Sequence, residues 1–271
     1  MSSLFNNNDE LLLTARLEQG LFDMGAALVG YAALSRHLDA RLLTGGLFSR
    51  SKKLGPRAIS IAAPIRMPVL RRGPDSLVST RSSLGAANTA DDAFHEIIAH
   101  GPTAAYLDAL MQAAELARQL AELSAGFLQR RGYAASVQAG QDRLSPDGKT
   151  PNLADEDVAA VAGLGWIGKN SLLTTRRYGS ALRLATVFTD APLPCGTPVS
   201  FSSCGSCNLC VESCPAKALA DAPWTAGVRR DGQLNLKACQ KFSLKSAQKN
   251  IGQSLNICGR CLAACPYVTR F

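Results

Sequence analysis

The chain has 271 residues, 46% of them apolar and few aromatic, with a formal charge of +8. That is enough to bury a sizeable core, and the length suits two domains or one with an appendage. No run approaches membrane-spanning length, and the opening MSSLFNNNDELLLTARLEQG has no cationic stretch followed by an apolar one, so secretion is not expected and a cytoplasmic location is.

The first part reads as mixed α and β without repeats. Asn8-Asp9 is placed to cap a helix running to about Met24, followed by strands in ALVGYAALS and RAISIAAPI. From Arg71 to Ala90 the sequence RRGPDSLVSTRSSLGAANTA has the Gly, Ser, Thr and Pro content of a long loop, and such loops in compact domains serve as lids or substrate loops. HEIIAH resembles a zinc-protease helix, but His95 and His100 are five apart, about 140° round a helix, so they do not share a face. Thr103 opens a strongly periodic helix that Gly132 stops, and YAASVQA reads as the next strand. DGKT ends like a phosphate loop, yet Arg143 stands where its first glycine belongs. DEDVAAVA has an acidic start and Ala-rich continuation, as a short helix would.

Gly163-Leu-Gly165-Trp-Ile-Gly168 satisfies GxGxxG and has Asp190 downstream. A dinucleotide site would need a strand before it and a crossover helix after it, and the sequence offers neither: a helix precedes the turn, and Tyr178-Gly179 interrupts soon after Lys169. The glycines fit two uses, a tight turn with Trp166 in the core or a close backbone approach to a ligand.

The densest signal is SCGSCNLCVESCP. Its spacing, Cys204-x2-Cys207-x2-Cys210-x3-Cys214-Pro, is the run by which bacterial ferredoxins hold a [4Fe–4S] cluster with three thiolates and lend the fourth to a second cluster. The partner run is Cys258-x2-Cys261-x3-Cys265-Pro266, in which Leu255 stands where the first cysteine belongs. Cys239 is the cysteine between the two runs and takes that place. Cluster I is thus expected on Cys204, Cys207, Cys210 and Cys265, and cluster II on Cys214, Cys239, Cys258 and Cys261, with Cys195 spare. Disulfides would suit an oxidising compartment, and zinc favours paired CxxC or Cys/His sets, so both are set aside.

From Trp224 onward Arg229, Arg230, Lys237, Lys241, Lys245, Lys249, Arg260 and Arg270 face one acid, Asp231. Two clusters at about −2 each would bring the net charge from +8 to near +4. Lys237, Lys241, Lys245 and Lys249 recur every four residues, which makes one stripe on a helix: a solvated face, or a landing strip for an acidic electron donor or nucleic acid.

AGLGWIGKNSLLTTRRYGSALRLATVFTDAPLP, running into the cysteine array with Cys239 between its halves, closely resembles the epoxyqueuosine reductase family. The resemblance is strong from about Val158 to Pro266 and weaker from about Leu11 to Ala139. It implies an α+β fold: a nitroreductase-like cobalamin-binding domain over 1–195, then a ferredoxin-like double [4Fe–4S] domain over 196–271. It also implies an oxidoreductase in which the clusters reduce cobalt to cob(I)alamin, which attacks the substrate while an acid donates protons. Gly163, Gly165, Trp166, Gly168, Lys169 and Asn170 would then meet the corrinoid, and Asp147 or Asp155 would be the donor of protons. Flavodoxin or ferredoxin is the expected source of electrons. The family's helical-repeat extension for tRNA has no counterpart in the six residues after Cys265, so a small-molecule substrate, or a corrinoid, is expected rather than tRNA. YGSALRLATV with Arg183 is a polar variant of a segment that is aromatic in those reductases, implying a changed substrate-facing surface. Two alternatives stand beside this: an electron-transfer module that reduces a corrinoid or partner enzyme, and a reductase carrying FMN. Reductive dehalogenases share the cobalt-and-cluster logic but are exported, and the chain shows no twin-Arg leader.

Overall fold

The computed structural model describes residues 7–34, 56–67, 90–138, 154–226 and 232–268. The Arg71–Ala90 loop apart from its last residue, Asp147 and the DGKT stretch lie outside them. In chain order the elements are α1 (Asn7–Asp23), β1 (Leu28–Ala33), β2 (Arg57–Pro64), α2 (Ala90–His100), α3 (Ala104–Gln129), β3 (Ala135–Val137) and α4 (Asp155–Val161). They continue with β4 (Trp166–Ile167), β5 (Leu173–Thr174), β6 (Leu182–Thr189), α5 (Leu209–Glu212), α6 (Leu236–Ile251) and α7 (Arg260–Ala263). Four strands form one sheet in the order β1-β2-β6-β3, antiparallel throughout, while β4 and β5 make a separate hairpin.

Side chains alternate across a strand, and here both faces are covered. Ile59, Ile61 and Val187 pack with Leu13, Leu17 and Leu21 of α1 and Leu120, Ala121 and Leu128 of α3. On the other face Ala58 and Phe188 meet Val158 and Val161 of α4. β2 is therefore buried on both sides, which is why it reads as a continuous apolar run. Thr103 starts α3 as expected, its Oγ1 accepting the Tyr106 N–H at 3.1 Å. The absence of a crossover helix after Gly168 is matched by the β4–β5 hairpin in that place.

The cysteine-bearing segment shares its apolar cores with the rest of the chain. Phe94 and Ile97 of α2 and Tyr106, Ala109, Leu110 and Ala113 of α3 pack with Ala247, Ile257, Leu262, Ala263 and Val268. Trp224 is buried with Ala62, Ile167, Leu173 and Leu182. At about 1.5–3 kcal/mol for each large apolar side chain buried, these shared cores join the two parts firmly. No helix among the described residues is long and apolar enough to cross a membrane.

Candidate iron–sulfur site

Both cysteine runs are shaped by short turns. Gly205 has φ +54°, and the Cys207 N–H returns to the Cys204 carbonyl at 3.1 Å. Cys210 lies in α5 and Cys214 just beyond it, where the Ala218 N–H points at Cys214 Sγ, 3.4 Å away. In the second run Gly259, at φ +82°, leads into α7, which carries Cys261. A side chain at Gly259 would lie 2.6 Å from the Tyr106 ring, so the approach of α7 to α3 requires glycine there. Cys239 sits in the first turns of α6, which Asn235 caps through the Ala238 N–H.

All nine thiols are free. Burial pushes the Cys210 thiol up to about 12, and the nearby thiols of Cys204, Cys265 and Cys207 add to the rise. Cys258 and Cys261 are likewise raised by burial first, and both feel Cys239 and Cys214. Cys261 also feels Cys210, so the two sets adjoin. Cys195 is exposed, its Sγ directed at the Leu193 carbonyl, and belongs to neither set. Among the described residues no three Cys, His, Asp or Glu side chains converge closely enough for one metal ion. Zinc would draw its thiolates to about 2.3 Å from one centre, whereas a four-iron cube gives each thiolate its own iron and spreads them apart.

The glycine turn lies directly against the first run. Trp166, 4% exposed, donates from Nε1 to Cys204 Sγ at 3.4 Å, with Tyr267 edge-on at 5.4 Å. Lys169, 3% exposed, donates from Nζ to Asn208 Oδ1 at 2.5 Å and to Asp221 Oδ1 at 2.7 Å. Lys169 in turn holds the Asp221 carboxyl below its usual range. Asn170 Nδ2 donates to Ser180 Oγ at 2.8 Å, and Thr174 Oγ1 lies 3.0 Å from the same hydroxyl. The polar ends of Trp166, Lys169 and Asn170 thus meet the cysteine segment and its supports. A Cβ at Gly165 would lie 2.3 Å from the Thr174 carbonyl oxygen, at Gly163 2.7 Å from that of Thr197 and at Gly168 2.6 Å from Asn170 Oδ1, so the turn packs against its own chain.

Asp155 opens α4, at the end remote from the turn, about 10 Å along the helix. Burial pushes its carboxyl up to about 7; Thr186 Oγ1 and Gln138 Nε2, donating at 2.6 and 2.9 Å, pull it back, while Glu156 adds to the rise. Ser60, in register with Thr186 on the neighbouring strand, has a buried hydroxyl without a partner in the structure. Thr186, Gln138, Asn208, Asp221 and Ser180 were not legible as site residues. A buried lysine demands an acid, but Asp221 follows Lys169 by 52 positions with no motif between them.

Residues 203–268 match the family described as the 4Fe-4S double cluster binding domain. The epoxyqueuosine reductase of Lactococcus garvieae is 33% identical over 162 residues, covering 56% of this chain and 40% of that protein. The chain therefore spans less than half the length of that curated relative. An epoxyqueuosine reductase solved with an epoxyqueuosine-modified tRNA-Tyr stem loop aligns over 96% of this chain and 67% of its own, with a TM-score of 0.58 at 21% identity. A reductive dehalogenase described as suggesting a mechanism for B12-dependent dehalogenation aligns over 99% of this chain and 34% of its own, with a TM-score of 0.62 at 14% identity. In sequence over half its length, and in fold over nearly all of it, this chain is similar to the epoxyqueuosine reductases, and its residues 203–268 match a double-cluster binding domain.

Proposed function

We propose that this chain is an iron–sulfur oxidoreductase that passes single electrons through two [4Fe–4S] clusters to a corrinoid at the junction of residues 1–195 and 196–271. Cys204, Cys207, Cys210 and Cys265 hold cluster I, and Cys214, Cys239, Cys258 and Cys261 hold cluster II. The observation that carries this is the division of eight free thiols into two adjoining sets of four, the first of them touched by Trp166. The corrinoid, when bound, supplies a strongly reducing cobalt centre. Its assignment rests on likeness to the B12-dependent neighbour and to the reductases, since Trp166, Lys169 and Asn170 spend their polar groups on the cluster segment. Gly165 and Gly168 are buried against their own chain, so contact with the ring falls to the exposed backbone at Gly163. Lys169, through Asn208 and Asp221, fixes the turn to the first cysteine run. Asp155, its carboxyl raised to about 7, keeps a proton to give near neutrality. Electrons enter from an acidic flavodoxin- or ferredoxin-like donor, and the substrate is a molecule reduced at the corrinoid.

The test is anaerobic reconstitution followed by cobalamin titration, read by absorption and equilibrium dialysis. About eight iron atoms and one corrinoid per chain are expected. Full iron loading with no retained corrinoid would favour an electron-transfer module, and flavin bands on adding FMN would favour the flavin alternative.

A further inference from the structure

Two side-chain donors from one short stretch converge on the first thiol set. The Trp166 indole N–H reaches Cys204 Sγ at 3.4 Å. The Ser180 hydroxyl hydrogen-bonds the Cys265 thiol. Neither donor is free to turn away. Trp166 is paired with Thr174 in the hairpin and packed edge-on against Tyr267. Ser180 Oγ receives the Asn170 amide and lies 3.0 Å from Thr174 Oγ1; with Thr174 as the donor of that pair, the Ser180 hydrogen is available to sulfur. The buried Lys169 ammonium is fixed beside Asn208, between Cys207 and Cys210. The second set has donors of its own, the Ala218 backbone N–H at 3.4 Å from Cys214 Sγ and Ser243 Oγ at 3.9 Å from Cys239 Sγ.

A donor on a ligating sulfur stabilises the more negative, reduced core, and so raises the potential of its cluster. We propose that Trp166 and Ser180 are positioning residues that raise the potential of cluster I above the value its four thiolates alone would give. It depends on the cluster assignment proposed above, and goes beyond it in naming the side chains that tune that cluster.

Trp166→Phe keeps the ring and removes the N–H; Ser180→Ala removes the hydroxyl. Redox titration of fully iron-loaded protein, followed by electron paramagnetic resonance, should show one of the two midpoints falling in each variant while the other stays in place. The expected change in the electron-partition constant is up to about tenfold, or about 59 mV for one electron. Unchanged midpoints, or two that move together, would overturn the proposal. A measurement on the wild-type chain guards against a variant that fails to fold: 15N in the indole nitrogen should show hyperfine coupling to a reduced cluster, retained in Trp224→Phe. Absence of that coupling in iron-loaded protein also overturns it. Wild-type protein that takes up no iron would sink the cluster assignment itself, a result distinct from loaded protein with unmoved midpoints.

Discussion

Cys239 and Asp155 each allow a test confined to one side chain. Cys239 is the ligand proposed in place of the leucine at position 255, and its thiol acts on those of Cys258 and Cys261. Cys239→Ala should lower iron from about eight toward about four per chain, whereas Cys195→Ser should leave it unchanged. Iron analysis after anaerobic reconstitution reads both, and the reverse outcome would exchange the roles of these cysteines. Asp155 carries a carboxyl shifted from 3.8 to about 7, so the folded chain holds a proton that the unfolded chain has released between those values. Its contribution to stability is therefore greatest below about pH 4 and is lost as pH rises to 7. Denaturant midpoints measured across that window should fall less steeply for Asp155→Asn than for the wild type, by a slope of about one proton. Parallel slopes would mean that the carboxyl ionises as freely in the fold as outside it.

Among the elements, α6 separates two functions by face. Ser243, Ser246 and Ala247 point inward and are buried, and Lys237, Lys241, Lys245 and Lys249 are exposed on the outer side. If that face receives an acidic donor, cluster reduction by flavodoxin or ferredoxin should slow as salt rises, since exposed charges are screened beyond about 10 Å at 0.1 M. Reduction by dithionite should respond less. A rate that ignores both salt and replacement of all four lysines by alanine would mark the stripe as a solvated face, and retention of RNA by the stripe would reassign its partner. The helix itself was legible from the four-residue recurrence, as were α1, α3, β1, β2 and β3 from periodicity and caps. The β4–β5 hairpin was not. Its strands are two residues long, too short for any alternation, and they are held by packing of Gly165 on Thr174 rather than by local preference. The cysteine spacing exposed the metal chemistry, but the contacts of Trp166 and Lys169 depend on long-range folding and leave no local trace.

Across the whole molecule, the core around Ile97 and Tyr106 joins α2, α3 and the second cysteine run. Iron loading should therefore stiffen residues distant in sequence from any thiol. Hydrogen exchange comparing loaded and iron-free protein should show protection lost around Tyr106, Ala109 and Leu110, while Leu120 and Leu128, packed with α1 and the sheet, keep theirs. Uniform loss along α3, or none, would contradict this division.

The pairing of β2 with β6, Ile59 against Val187, also sets an order of assembly. The central strand pair is separated by more than a hundred residues, a high-contact-order arrangement that slows closure of the sheet. During synthesis β2 emerges more than a hundred residues ahead of β6, and Cys204 follows that strand within the next fifteen. Over that interval the newborn chain carries an apolar strand unpaired and no thiol array to receive iron. Its exposure to aggregation precedes its demand for iron.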